Sequence, residues 1–253
     1  MGVVQIVFSP TGGTQKVAEI ITERWGQPVK TVDLSSAEYD FSGVHLQKED
    51  IAVIAVPSFA GRVPALAVSR LEQICGSGAL GVLVCVYGNR AYEDTLVELE
   101  DTAGKCGFRV IAGIAAIAEH SIMHQYAAGR PDEQDRKELH DFADKIWKKI
   151  NNGEASVPAF PGNRPYKEGK AASMVPAASE ECTLCGVCAA QCPAQAIDRE
   201  NPRVTDGEKC ISCMRCVVQC PQKARGINEK MAGLLAKKLE PVCSVRKANE
   251  LYL

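Results

Sequence analysis

The 253-residue chain is 46% hydrophobic and 24% charged, with 29 Lys and Arg against 31 Asp and Glu. This composition suits one ordinary globular core with an appendage, and a net charge of −2 leaves no basic footprint for nucleic acid. No apolar run reaches the ~18 residues a membrane helix needs, and the opening MGVVQIVFSP has neither a charged leader nor a small-residue cleavage site, so a cytoplasmic protein is expected.

Residues 1–153 alternate between two kinds of segment. Apolar, β-branched runs at Val3–Phe8, Val29–Leu34, Ile51–Val56, Gly81–Val86 and Val110–Ile117 are short and nearly continuous, as strands buried on both faces are. Helical spacing runs over Thr14–Trp25, with Val17, Ile20, Ile21 and Trp25 on one face, and over Pro64–Cys75, Glu93–Cys106 and Pro131–Ile150. Residues 35–50 are polar and show no periodicity. Repeated strand–helix alternation predicts an α/β fold with a parallel sheet and right-handed crossovers. Five strands suit the order 2-1-3-4-5. Cys75, Cys85 and Cys106 fall inside these patterns and read as buried small hydrophobes.

Ligands of such sheets bind beyond the C-terminal ends of the strands. Three loops open there. The first, Ser9-Pro10-Thr11-Gly12-Gly13-Thr14, joins the first strand to the first helix. Backbone amides at a helix N-terminus attract an anion, the hydroxyls of Ser9, Thr11 and Thr14 can donate to phosphate oxygens, and Gly12 and Gly13 let the chain curl. It lacks the Gly-Lys-Ser/Thr of a nucleotide triphosphate loop and the G-x-G-x-x-G of a dinucleotide loop. The competing reading is an ordinary Ser/Thr helix cap. The second loop carries Pro57, Ser58, Phe59, Ala60, Gly61 and Arg62. The third carries Tyr87, Gly88, Asn89, Arg90 and Tyr92. Core packing is the alternative role for Phe59 and Tyr92. His120, His124 and Tyr126 follow the fifth strand on the same side.

From residue 154 to 178 the periodicity stops, and Pro158, Pro161, Pro165 and Pro176 mark an extended linker or wrap. Residues 179–228 hold eight of the twelve cysteines. Cys182-x2-Cys185-x2-Cys188-x3-Cys192-Pro193 recurs 28 residues later as Cys210-x2-Cys213-x2-Cys216-x3-Cys220-Pro221. The x2 spacing lets three thiolates converge on a cuboidal iron–sulfur cluster, and the proline turns the fourth cysteine toward the partner cluster. The expected ligand sets are Cys182, Cys185, Cys188 and Cys220 for one cluster, and Cys210, Cys213, Cys216 and Cys192 for the other. Zinc also accepts four cysteines, but its pairs of x2 hairpins are usually separated by a longer gap. Residues 229–253 read as a closing helix over Glu229–Leu239 and a tail.

The duplicated cysteine motif resembles a bacterial ferredoxin with two 4Fe–4S clusters. The three loops of residues 1–153 resemble a flavodoxin: Ser9–Thr14 is similar to that family's FMN phosphate loop, and Gly88, Asn89 and Tyr92 to a loop flanking the flavin ring. The second loop departs from it, with Phe59 where many flavodoxins carry tryptophan, and Arg62 and Arg90 as additions. The whole chain resembles the flavodoxin–ferredoxin fusion proteins of anaerobes. That resemblance implies a flavodoxin-like five-stranded sheet, a small C-terminal α+β ferredoxin domain, FMN, two 4Fe–4S clusters and electron transfer to protein redox partners. Reduction of a small molecule such as a quinone or dioxygen, and redox sensing, are the alternatives.

Overall fold

The computed structural model describes residues 2–169 and 174–253; residues 170–173 of the expected linker lie outside the described residues. The first unit alternates β1 (Val3–Val7), α1 (Gly13–Glu23), β2 (Val29–Asp33), β3 (Ile51–Pro57), α2 (Ala65–Leu71), β4 (Leu80–Tyr87), α3 (Thr95–Lys105), β5 (Arg109–Ile117) and α4 (Glu133–Asn151). The five strands pair in parallel in the order 2-1-3-4-5. Ile6 pairs with Val32 on one side and Ile54 on the other, and Ile54 in turn with Leu83. Every residue of β1 is buried, and β3 and β4 nearly so, which is why they read as continuous apolar runs, whereas β2, expected to be buried on both faces, lies at the sheet edge and buries only Val32.

Two cores lie on the two faces of the sheet. Phe8, Leu34, Leu71, Leu83 and Leu99 fill the face under α2 and α3. Val17, Ile21, Trp25, Leu139 and Ile146 fill the face under α1 and α4. Each fully buried Leu or Ile contributes about 1.5–3 kcal/mol. Trp25 stacks on Trp147 with ring centroids 5.5 Å apart and donates through Nε1 to the Ala143 carbonyl at 3.0 Å. Asp132 caps α4 in a capping box with Asp135.

The remaining elements are β6 (Ala177–Ala178), α5 (Val187–Ala190), α6 (Arg215–Val218), β7 (Arg225–Gly226), α7 (Glu229–Cys243) and β8 (Glu250–Tyr252). Among the described residues no helix is long and apolar enough to cross a membrane. The linker takes the wrap alternative along the first unit: Phe160 covers Gly113, where a Cβ would meet the Phe160 ring at 2.2 Å, and the backbone amides of Asn163 and Lys167 both donate to Asp94 at 2.8 Å. Besides the edge strand β2, three features differ from the sequence expectation. The sheet has six strands, because β8 pairs antiparallel with β5, Leu251 opposite Ile114; three residues are too few to show a period. Cys75 is exposed. Helix α2 ends at Leu71, which leaves Cys75 in a segment bridged to His45. Finally, α7 runs through Pro241 to Cys243 instead of stopping at Leu239.

Candidate cluster and cofactor sites

The sequence repeat of the cysteine unit is also a repeat of backbone conformation. Leu184 and Ser212 have φ of 58° and 52°, Gln195 and Lys223 have 49° and 52°, and Gly186 and Met214 cap α5 and α6 at 75° and 62°. Each pair is 28 residues apart, and each member occupies the left-handed region that non-glycine residues rarely adopt. The Cys-Pro turns repeat as well: Cys192 Sγ accepts from the Ala196 amide and Cys220 Sγ from the Ala224 amide, both at 3.3 Å.

Cys192 reaches from the first motif into the second. Together with Cys210, Cys213 and Cys216 it lines a small cavity of about 20 Å³. In the other set, Cys188 is buried and Cys185 is exposed. Among the described residues no three His, Cys, Asp or Glu side chains stand as ligands of a single metal ion; around a cuboidal cluster each thiolate binds a different iron and so stands farther from its neighbours.

Two observations test whether a cluster fits here. Burial pushes the Cys213 thiol up to about 12 and the Cys216 thiol to about 11, so holding them as thiolates requires a compensating cation, which iron supplies. Moreover, the two buried side-chain nitrogens without an acceptor among the described residues are Arg215 Nε and Arg225 Nε, beside and across from Cys216. A buried N–H left unpaired in a native fold signals an absent partner, and cluster sulfur is a suitable acceptor. The residues fit the group.

The cavity also touches the first unit. Its lining residues Pro193 and Ile211 are both contact points: Arg70 Nη2 donates to the Pro193 carbonyl at 2.7 Å while Nη1 donates to the Leu34 carbonyl at 2.6 Å, and Ile211 packs on the core cluster of Phe8 and Leu34. Elsewhere in the cysteine unit, Leu184, next to Cys185, and Val218 are half exposed.

The loop expected to hold the flavin phosphate, Ser9–Thr14, has the form of an anion cradle. Gly12 has φ of 92°, Ser9 Oγ accepts from the Gln15 amide at 2.9 Å, and the Gly13 and Thr14 amides and the Thr11 and Thr14 hydroxyls have no protein acceptor among the described residues. The ring end is arranged differently. Phe59 closes a tight turn with Arg62, through Ala60 and Gly61 at positive φ. That turn lies against the third loop, where the Asp94 amide donates to the Gly61 carbonyl at 3.0 Å, and Ser58 Oγ lies 2.8 Å from Thr95 Oγ1. Pro57 is the last residue of β3, and Tyr87 the last of β4. Gly88 lies against His120, where a Cβ would meet the ring at 2.7 Å.

Asn89 is buried and holds the C-terminal segment, donating to the Cys243 and Val245 carbonyls at 2.7 and 2.8 Å. The Tyr92 ring packs on Tyr87 at 5.2 Å, and its hydroxyl meets Glu250 and Tyr252. Arg62 forms a fork on Glu98, 2.7 Å at both oxygens, and lies over the Tyr166 ring. Arg90 pairs with Glu93. His120 accepts two backbone amides at Nδ1, from Ile122 and Met123, and burial lowers its pKa. His124 pairs with Glu119, and Tyr126 donates to the Ala236 carbonyl of α7. The residues expected beside a flavin ring are therefore largely committed to α7, β8 and one another. Sequence reading missed Asn249, Glu250 and Tyr252, which carry no motif. It also missed Arg225, whose signal was available: it breaks the 28-residue repeat.

Residues 174–221 match the family model of the 4Fe-4S dicluster domain. No curated protein matches the chain. Among solved structures, the Streptococcus pneumonia TIGR4 flavodoxin is 20% identical at a TM-score of 0.41, covering 58% of this chain and 99% of its own. A flavodoxin from the domain Archaea is 13% identical at 0.41, covering 60% and 99%. The rubredoxin oxygen:oxidoreductase of Desulfovibrio gigas is 16% identical at 0.43, and 61% of this chain corresponds to 37% of that one. This chain thus joins a parallel α/β unit with the flavodoxin strand order to a segment that matches the 4Fe-4S dicluster family.

Proposed function

We propose that the chain is an electron-transfer protein that passes electrons between FMN, two 4Fe–4S clusters and a protein redox partner. Cys192, Cys210, Cys213 and Cys216 hold the inner cluster, and Cys182, Cys185, Cys188 and Cys220 the outer one. The observation that carries this reading is the double role of Pro193 and Ile211, which line the four-cysteine cavity and touch the α/β unit. It supports an order with one cluster against the first unit and the other nearer the surface, which an electron wire needs because transfer slows steeply with distance.

FMN supplies exchange of electrons singly or in pairs when bound. The chain's own part is to hold its phosphate by the Ser9–Thr14 amides and hydroxyls, with Pro57–Gly61 and Tyr87–Asn89 bordering the ring. Oxygen-sensitive clusters, with no helix among the described residues long and apolar enough to cross a membrane, suit a cytoplasmic carrier in anaerobic metabolism.

The test is anaerobic isolation with iron, sulfide and FMN quantified. About eight iron and one FMN per chain are expected. Zinc in place of iron, or clusters without any flavin binding, overturns the wire.

A second reading, a flavin-dependent reductase, is favoured by one observation. A solvent-open cavity of about 350 Å³ is lined by Asn89, Tyr126, Arg130, Cys243 and Arg246. Among its lining donors Tyr126 is engaged by Ala236, Arg130 by Asp135 and Arg246 by Asp132, which is why the carrier reading stands first. Steady turnover of a quinone by the loaded protein would reverse that order.

A further inference from the structure

We infer that Arg225 is an electrostatic bridge between the two clusters, favouring the reduced form of both; this rests on the two-cluster reading above. The sequence repeat supplies the first observation. A 28-residue offset lays Cys192-Pro193-Ala194-Gln195-Ala196-Ile197 on Cys220-Pro221-Gln222-Lys223-Ala224-Arg225. The backbone repeats at these positions, including the amide-to-sulfur bonds of Ala196 and Ala224. Ile197 is 5% exposed and Arg225 4%. A cation therefore stands where the fold's own internal copy places a hydrocarbon. A guanidinium does not enter an apolar site without a compensating anion.

The second observation is what surrounds it. Nη1 lies 3.6 Å from Cys188 Sγ and 2.6 Å from the Pro202 carbonyl, while Nη2 meets the Pro176 carbonyl and the Thr205 hydroxyl. The guanidinium charge also lies close enough to favour the Cys216 thiolate. Nε is buried with no acceptor among the described residues. None of the hydrogen-bond partners is a carboxylate. Cys188 belongs to one ligand set and Cys216 to the other, so a single guanidinium donates to a sulfur of one set and lies within electrostatic reach of the other.

The anions that balance it are the clusters themselves. Four thiolates outweigh the positive charge of the iron–sulfur core, so each liganded cluster is an anion, and becomes more negative when it takes up one electron. A fixed cation in a low-dielectric site stabilises the more negative state. Because Arg225 stands between the two, it favours reduction of both and screens an electron on one from an electron on the other. Its hydrogen bonds to Pro176, Pro202 and Thr205 fix the fork in place. The first repeat has no counterpart of this charge, so one side chain serves two centres.

The experiment compares the full-length wild type with Arg225→Ile, Arg225→Gln and Arg225→Lys, reconstituted anaerobically, with iron and sulfide counted and the clusters titrated with dithionite under EPR. Ile is the residue that the internal copy carries at this place, and Gln retains hydrogen-bond donors without charge. The expected result is full iron in wild type and variants, with the one-electron equilibrium of both clusters shifted about tenfold or more toward the oxidised form in Arg225→Ile and Arg225→Gln, which is about 59 mV at tenfold. Arg225→Lys stays close to wild type. Full iron with unchanged potentials in the neutral variants overturns the assignment. So does a shift confined to one cluster, an equal shift in Arg225→Lys, or loss of iron from all three variants, which would make Arg225 a structural clasp. A wild type that holds no pair of clusters fails at the earlier step and removes the reading on which this inference rests.

Discussion

The Tyr92 hydroxyl lies 2.7 Å from that of Tyr252, 160 residues further along the chain. Tyr92 also meets the Glu250 carboxylate at 2.8 Å, and the Tyr252 ring stands edge-on to Phe160 at 5.9 Å. A loop after β4, the linker and the last strand thus meet at one point, and the C-terminus is a working part of the first unit's sheet. Burial and the Glu250 hydrogen bond push the Tyr252 phenol up to about 12. A raised folded-state pKa means that this contribution is whole below the ordinary tyrosine value of about 10 and is lost as pH rises toward 12. Deleting residues 250–253 is expected to lower stability by about 2–3 kcal/mol at neutral pH, measured by urea unfolding, and to remove part of the alkaline loss seen in wild type.

Asp135 ties α4 to the tail. It is buried and takes a fork from Arg130, with further bonds from Asn249 and Arg246. Burial pushes its carboxyl up, and the hydrogen bonds from Arg130, Asp132 and Asn249 outweigh that, holding it below the ordinary value. The stabilisation is therefore present above about pH 4 and lost as pH falls below it. Asp135→Asn leaves Arg130 buried without a counter-charge, and a loss of about 3–5 kcal/mol is expected. An Asp135→Asn protein as stable as wild type at pH 7, with the same acid midpoint, would disprove the role.

Arg70 joins the two units through carbonyls of Leu34 and Pro193. Burial lowers its pKa, with the Asp33 charge acting in opposition. Arg70→Met removes both bonds and leaves two carbonyls unpaired, at about 1–3 kcal/mol each. Iron content should stay at the wild-type value, while electron exchange between flavin and clusters slows. Rapid-mixing absorbance at flavin and cluster wavelengths separates the two. Unchanged exchange rates would mean that the interface does not set the wire.

The crossed ligands give a test of wiring. Cys192→Ser is expected to disturb the cluster bound by the second motif, and Cys220→Ser the one bound by the first. Each single variant should lose up to about four iron of about eight, and the EPR of the survivor should lose its magnetic coupling. If Cys192→Ser instead perturbs the Cys182–Cys188 cluster, the ligand sets are uncrossed.

Thr11 and Thr14 offer hydroxyls without protein partners at the start of α1. Their joint replacement by alanine should weaken FMN binding by about 1–3 kcal/mol, read by quenching of flavin fluorescence, with iron content unaffected. Equal affinity in wild type and variant would place the flavin phosphate elsewhere.

The sequence by itself determined the parallel sheet, its strand order and the duplicated cysteine motif. Those signals are local: continuous apolar runs mark strands covered on both faces, and a three-cysteine x2 series followed by proline has few other uses. The repeat even forecast its own backbone, since Leu184 and Ser212, or Gln195 and Lys223, adopt matching left-handed angles. Tertiary structure alone decided that the Asn89 side chain and the Tyr92 hydroxyl hold residues 243–252. It also decided that β8 completes the sheet and that Arg70 seats the cluster unit. These contacts join residues more than 100 positions apart, or depend on one buried charge finding distant carbonyls. No periodicity records such meetings, because the free energy that selects them comes from burial and hydrogen-bond pairing available only once the chain has closed on itself.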